Sequence, residues 1–215
     1  VRIVRQEARP PSVGDISVRV PGYMEMVVAT FSQLARSSSQ VNQRSGVSVR
    51  LSVSNYEVMA ANALRRGLRH GESHVVPRVC DLDAFAASTG GKIEIEAMEE
   101  GREGQVLRDL IRQSVLSVYR DVVPPELVRD VLTAFEEGAV VHTGEDVNSA
   151  EQAGLVMSIP SLAPVVDAVI GRDNPVDSSE ASIAAAVEFV LEGMHLSKRL
   201  NKDAGADGGG TYRSR

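Results

Sequence analysis

The sequence predicts a mainly α-helical fold, and three observations lead to this class. Aromatic residues make up 4% of the 215 residues and tryptophan is absent, a composition that suits packing of helix on helix better than a β-sandwich core. Several segments repeat apolar residues at the three- and four-residue spacing of an amphipathic helix. Pro-Pro pairs and short polar runs separate these segments and predict where the helices end.

The elements follow from this periodicity in chain order. Asp81 and either Ser178 or Ser179 are expected to be helix N-caps. The alternation in Lys92–Glu96 predicts a short strand or the start of a helix, and Val140–Val141 predicts another short strand. Because the tail 203–215 is polar and Gly-rich, it is predicted to be disordered. Helices are predicted at 1–9 (the end of one), Tyr23–Arg36, Leu51–Arg69, Leu82–Ser88, Glu103–Val122, Glu126–Glu137, Ser149–Met157, Leu162–Val169 and Glu180–Leu200.

Composition and charge exclude several classes of function. The net charge of −6 argues against nucleic acid as the main partner, because neutralising phosphates requires a basic surplus. Arg65, Arg66 and Arg69 could form a basic stripe, but the overall acidity disfavours a DNA reader. The single Cys80 excludes an intramolecular disulfide and fits the reducing cytoplasm. No apolar run approaches the roughly 20 residues that span a bilayer, so no membrane segment is predicted.

Two clusters have the residue types of a metal site. His70, His74 and Cys80 are close in sequence, but Gly71 should end the helix between the histidines and no fourth ligand follows at a usual spacing. A surface loop is therefore the favoured interpretation, and no metal site is predicted. The acidic cluster at 94–103 could bind a divalent cation, although a solvated helix face near a helix N-terminus is favoured.

The chain lacks the machinery that would hold and hydrolyse ATP. A phosphate-binding loop needs Gly-x-x-x-x-Gly-Lys-Ser/Thr. At Gly90-Gly91-Lys92, Ala86 stands where the first glycine belongs and Ile93 where the hydroxyl belongs. No apolar run ends in Asp-Glu. This chain alone is expected to be inactive as an ATPase.

A small-residue turn delivers an arginine to the start of a predicted helix. Gly46, Ser48 and Arg50 lie directly before and within the first turn of the helix that includes Leu51. Helix N-termini attract anions, and a guanidinium offers a forked set of donors. Arg50 is therefore a candidate phosphate contact, and Arg44, which flanks the same turn, is a second one. The alternative is a solvated arginine at a helix start.

This turn, between its two helices, resembles the sensor-2 region in the lid of AAA+ ATPases, especially the magnesium-chelatase ATPase-subunit and MoxR-like proteins. Further stretches resemble the C-terminal extension of an actinobacterial-type magnesium-chelatase-like subfamily, so that the resemblance covers nearly the whole chain to Asp203. These stretches are Arg78–Leu82, Gly91–Glu96, Glu99–Glu103 and Phe189–Arg199. The resemblance implies the end of an ATPase core helix at 1–11, a lid domain at 12–77, a helical extension at 78–202 and a disordered tail at 203–215.

The resemblance also implies a function. Arg50, Arg44 and Ser48 would contact ATP, which with Mg²⁺ would be bound mainly by sequence absent from this chain. The partners would be the AAA+ core domain, neighbouring subunits of a homo-oligomeric ring, and a von Willebrand-type protein in the cytoplasm. The output would be remodelling of that partner or insertion of Mg²⁺ into a porphyrin. Because the sequence opens on Val1 and not on Met, a truncated protein is expected, although GTG can also serve as a start codon. The alternative is a free-standing, non-catalytic helical interaction or regulatory module.

Overall fold

The computed structural model describes residues 7–8, 10–41, 49–89, 102–173, 175–205 and 209–215. It is 64% helical with only small sheets, which confirms the mainly α fold. The helices of the described residues are α1 Gly22–Ser37, α2 Val49–His70, α3 Phe85–Thr89, α4 Glu103–Val122, α5 Val128–Glu136, α6 Ser149–Ser158, α7 Leu162–Ile170 and α8 Glu180–Leu196. The strands are β1 Ser12–Val13, β2 Ile16–Val18, β3 His74–Val75, β4 Val141–Thr143, β5 Asn201–Ala204 and β6 Gly210–Arg213.

Helices α1, α2 and α4 begin and end within two residues of their predicted positions, because each buries a regular apolar stripe. Helix α4 has the predicted bounds, and the side chain of Ser179 caps α8 by accepting a hydrogen bond from the backbone N–H of Ser182. Helix α8 ends four residues before the predicted Leu200, since Lys198 takes a positive φ of 62° that ends the helix. The predicted helix end at 1–6, the strand at Lys92–Glu96 and most of the acidic cluster lie outside the described residues.

The segment after β3 differs from its prediction. In place of one helix over Leu82–Ser88, a 3-10 helix at Val79–Ala84 leads into α3, and another at Pro125–Leu127 precedes α5. Asp81 is not the N-cap, which is Arg78. The Asp81 carboxylate instead reaches back and accepts the backbone N–H of Arg78 at 2.8 Å. The carboxylate therefore stabilises the start of the 3-10 helix from inside it.

One hydrophobic cluster joins the two sides of the predicted boundary between residues 77 and 78. Helix α1 packs on α4, and α8 packs on α4, α6 and α7. Phe31 of α1, Val118 of α4 and Phe189 of α8 are buried in the same cluster. The predicted lid segment and the predicted extension thus share a core. A separate lid domain of this size would bury little apolar surface by itself.

The described residues include two three-stranded sheets. In the first, β1 pairs antiparallel with β2, and β2 pairs parallel with β3. In the second, β6 lies between β4 and β5 and is antiparallel to both. None of the described helices has the combination of length and apolarity that crossing a bilayer requires.

The second sheet overturns the prediction of a disordered tail, although residues 206–208 lie outside the description. Tyr212 of β6 is fully buried, and its hydroxyl donates to Oε2 of Glu192 at 2.6 Å. Lys202 of β5 donates to the same oxygen at 2.8 Å. A Cβ at Gly209 would overlap the backbone of Thr143. The glycines therefore permit close packing of strands, and the buried tyrosine and ion pair hold the tail in place.

Candidate functional site at the start of helix α2

Arg50 is the second residue of α2, and its side chain is exposed. The first turn of α2 contains no acidic residue, so nothing within that turn offsets the positive end of the helix dipole. Arg44, Gly46 and Ser48 lie outside the described residues. Of the three predicted nucleotide contacts, the structure therefore describes Arg50 alone.

The residues directly after Arg50 fix the first turn of α2 against α1. Leu51 and Ser52 are buried. The hydroxyl of Ser52 donates to that of Ser32 at 2.8 Å, and Ser32 donates to the carbonyl of Val28 at 3.1 Å. This short chain of hydrogen bonds holds the backbone that bears Arg50 in a defined position on α1.

The middle of α2 is tied to α3. Asn55 is fully buried, and its side-chain oxygen accepts a hydrogen bond of 2.6 Å from the hydroxyl of Ser88. Buried polar groups are costly unless they are paired. The position of α2 relative to α3 is therefore specified by this pair as well as by apolar packing.

The far end of α2 is held by Glu145, which lies in the loop before α6. Arg69 donates to its carboxylate, as does Asn62 at 3.3 Å, and a ring nitrogen of His70 lies 2.7 Å from the Glu145 carbonyl oxygen. Burial raises the pKa of Glu145, but hydrogen bonds from Arg69 and Asn62 offset this and lower it overall. Arg65 also lies near this carboxylate, at 3.9 Å. Arg65 and Arg69 therefore belong to an ion-pair cluster and do not form a free basic stripe.

Arg66 lies beneath that cluster and is fully buried together with Asp81. Its guanidinium donates to the Asp81 carboxylate at 3.0 Å and to the Val76 carbonyl at 2.9 Å. Burial by itself lowers the pKa of Arg66. The charge of Asp81 and its hydrogen bond raise the pKa by more than burial lowers it, so the net shift is upward. This arginine is a structural cation and not a surface residue for nucleic acid.

Arg78 extends the buried polar cluster to α6. Its guanidinium donates to the Val147 carbonyl at 2.7 Å, to Gln152 at 3.1 Å and to the Ser149 hydroxyl at 2.8 Å. Burial and the neighbouring charge of Arg66 lower the pKa of Arg78. The hydrogen-bond acceptors around its guanidinium are therefore needed to stabilise the charged form.

Glu188 of α8 completes what we call the buried charge network, defined as Arg66, Arg78, Asp81 and Glu188. Its carboxylate accepts the backbone N–H of Cys80 at 2.7 Å and a hydrogen bond from Gln152 at 3.3 Å. No sequence pattern predicted this network. The short spacing from Arg78 to Asp81 was the only available signal, since the partners on α2 and α8 are distant in sequence.

The histidines and the cysteine do not converge on a metal. Cys80 is buried, and burial together with the Glu188 charge raises the pKa of its thiol. His74 lies 3.1 Å from the carboxylate of Asp177, while His70 is at Glu145. Across the described ranges, no group of three or more His, Cys, Asp or Glu side chains is arranged to hold a metal ion.

The group that the structure places at the start of α2 is the guanidinium of Arg50. A guanidinium stays protonated at any physiological pH and can stabilise negative charge, but it cannot act there as a general base.

The chain matches no protein-family model, no curated protein and no solved structure.

Proposed function

We propose that this chain is the lid and C-terminal extension of a magnesium-chelatase-like AAA+ ATPase, in which Arg50 acts as the sensor-2 arginine. The observation that supports this most strongly is the fixed position of α2 beneath an exposed Arg50. Arg50 is exposed at the first turn, and residues that follow it tie the helix to α1, to α3 and to the loop at Glu145. An arginine on a fixed backbone suits recognition of a phosphate supplied by another part of the protein.

In this proposal ATP and Mg²⁺ are bound mainly by a core domain that precedes the lid. Arg50 donates to the γ-phosphate and stabilises the charge on its oxygens. Arg44 and Ser48 are proposed as further contacts from the same turn. Since Arg50 contacts the γ-phosphate, the lid takes different positions with ATP and with ADP.

The buried charge network gives this movement a physical path through the chain. Arg66 belongs to α2, Arg78 and Asp81 to the following 3-10 segment, and Glu188 to α8. A displacement of α2 is therefore expected to move the segments around α6 and α8 with it. The proposed output is remodelling of a von Willebrand-type partner, or insertion of Mg²⁺ into a porphyrin, by a homo-oligomeric ring.

The test is ATP turnover by the intact protein carrying Arg50→Ala. We expect turnover to fall more than about tenfold, because removing one donor to the transferred phosphoryl group costs at least about 2–3 kcal/mol of transition-state stabilisation. Arg129→Ala on α5, another exposed arginine, is the matched control and should leave turnover unchanged. Near-normal turnover in the Arg50 variant would sink the assignment and favour a helical interaction module.

A further inference from the structure

A second candidate site shares no residue with the start of α2. It is a cavity of about 360 Å³ between the end of α4, the turn into α5 and the residues after α8. This volume is at the lower end of the range of about 300–1,000 Å³ typical of small-molecule sites. Its lining combines the apolar residues Val123, Pro125 and Val128 with polar residues, which are Tyr119, Arg120, Ser197 and Arg199. We call it the Tyr119 cavity.

The two arginines at the cavity are exposed and have no acidic partner among the described residues. This distinguishes them from Arg66, Arg69 and Arg213, which pair with carboxylates. Because a guanidinium is always charged and presents parallel N–H donors, a pair of them beside a cavity favours a carboxylate or a phosphate.

Tyr119 supplies the third polar group. The residue is 6% exposed, and its ring lies against Gly193, where a Cβ would overlap it, and edge-on to Phe189. The hydroxyl makes no hydrogen bond within the described part of the chain. It is also absent from the fully enclosed polar atoms that lack a partner, so the hydroxyl is accessible from outside the protein. Burial raises the pKa of Tyr119 to about 12, so the hydroxyl is protonated and can donate.

We propose that the Tyr119 cavity binds a small organic carboxylate with an apolar body. Arg120 and Arg199 hold the carboxylate, the Tyr119 hydroxyl donates a further hydrogen bond, and the apolar body lies on Val123, Pro125 and Val128. The apolar lining residues decide between the two anion classes. Inorganic phosphate would leave these residues in contact with water, whereas an aromatic or aliphatic carboxylate covers them.

The test is calorimetric titration of the full chain with three probes, which are phenylacetate, its uncharged analogue phenylacetamide and inorganic phosphate. We expect phenylacetate to bind saturably below about 10 mM and each of the others to bind at least about tenfold more weakly, since a charged hydrogen bond contributes about 1.5–3 kcal/mol. Equal binding of phenylacetamide, tighter binding of phosphate, or the lack of saturable phenylacetate binding would each overturn the proposal.

Variants locate the site. Arg120→Gln and Arg199→Gln should each weaken phenylacetate binding at least about tenfold, and Tyr119→Phe should weaken it severalfold. Arg112→Gln, an exposed arginine of α4 that lines a different cavity, is the control and should bind like the unmodified chain. Thermal unfolding of each variant shows that it is folded. Unchanged affinity in both Arg120 and Arg199 variants would contradict the assignment.

Discussion

At the residue scale, Asp81 is the centre of the buried charge network. It accepts hydrogen bonds from the Arg66 guanidinium, from the backbone N–H of Arg78 and from Asn62 at 3.1 Å. Removing one partner from a buried ion pair is far more costly than losing a surface contact, because the other charge is left without compensation. The effect of each substitution in this segment should therefore depend on burial more than on residue type.

We predict that Asp81→Ala lowers the free energy of unfolding by about 3–5 kcal/mol. Asp83→Ala, two residues away, is the matched control. Asp83 is exposed. Partial desolvation raises the pKa of its carboxyl group, which means that the surroundings do not favour the charged form. Loss of this side chain should therefore change stability by less than about 1 kcal/mol. Urea denaturation of both variants measures the difference. Equal effects of the two substitutions would show that the network contributes nothing particular to stability.

Asp177 gives a prediction about pH. Its side chain is 12% exposed and accepts hydrogen bonds from the Ser182 hydroxyl at 2.7 Å and the backbone N–H of Ser179 at 3.0 Å. Burial by itself raises the pKa of Asp177. These hydrogen bonds and the one with His74 lower the pKa by more than burial raises it, so the folded-state pKa lies below the ordinary value. The carboxylate therefore stabilises the fold above the unfolded pKa of about 3.9, and this stabilisation is lost as the pH falls below that value.

Asp177→Asn should remove that contribution. The gap in unfolding free energy between the unmodified chain and the variant should be full at pH 7 and should shrink as the pH falls from about 4 toward 2. Urea denaturation at a series of pH values measures the gap. A gap that stays constant over that range would mean that the hydrogen bonds at the start of α8 do not depend on the charge of Asp177.

At the element scale, the helices could be predicted because their apolar periodicity is local information. A short strand was predicted at Val140–Val141, where β4 lies. The 3-10 start at Val79 and the pairing of β4 with the strand of Tyr212 could not be predicted, because they depend on partners distant in sequence. Asp81 looks like an N-cap until Arg66 and Arg78 are known to lie beside it. The Gly-rich tail looks unable to pack until Glu192 is known to accept from Tyr212 and Lys202.

Two helical glycines give a matched pair of predictions at this scale. Gly193→Ala in α8 should lower the free energy of unfolding by about 1–3 kcal/mol or more, because the new Cβ would overlap the Tyr119 ring. Gly154→Ala in α6 meets no atom within 4 Å and should raise it by about 0.5–1 kcal/mol through helix propensity. Chemical denaturation compares them, and a stabilising effect at Gly193 would contradict the packing described for Tyr119.

At the scale of the whole molecule, the lid-like helices and the following segment form one structure. Phe31, Val118 and Phe189 share a hydrophobic cluster, and the buried charge network joins α2 to α8.

The mainly α class and most of the helix order could be predicted from composition and periodicity. The packing of α1 on α4 could be predicted only as the expectation that so small a lid needs support. The start of α2 was predicted as a candidate site, and the Tyr119 cavity was not, since its residues come from segments some 70 residues apart.

We propose above all that Arg50 serves an ATP site that the rest of a larger protein builds. The most direct measurement is the DNA sequence immediately upstream of the Val1 codon. We predict an in-frame phosphate-binding loop and an apolar run ending in Asp-Glu within the preceding few hundred codons, which is on the order of one to two domains. A stop codon and a ribosome-binding site directly upstream would contradict the claim and would identify a free-standing helical protein.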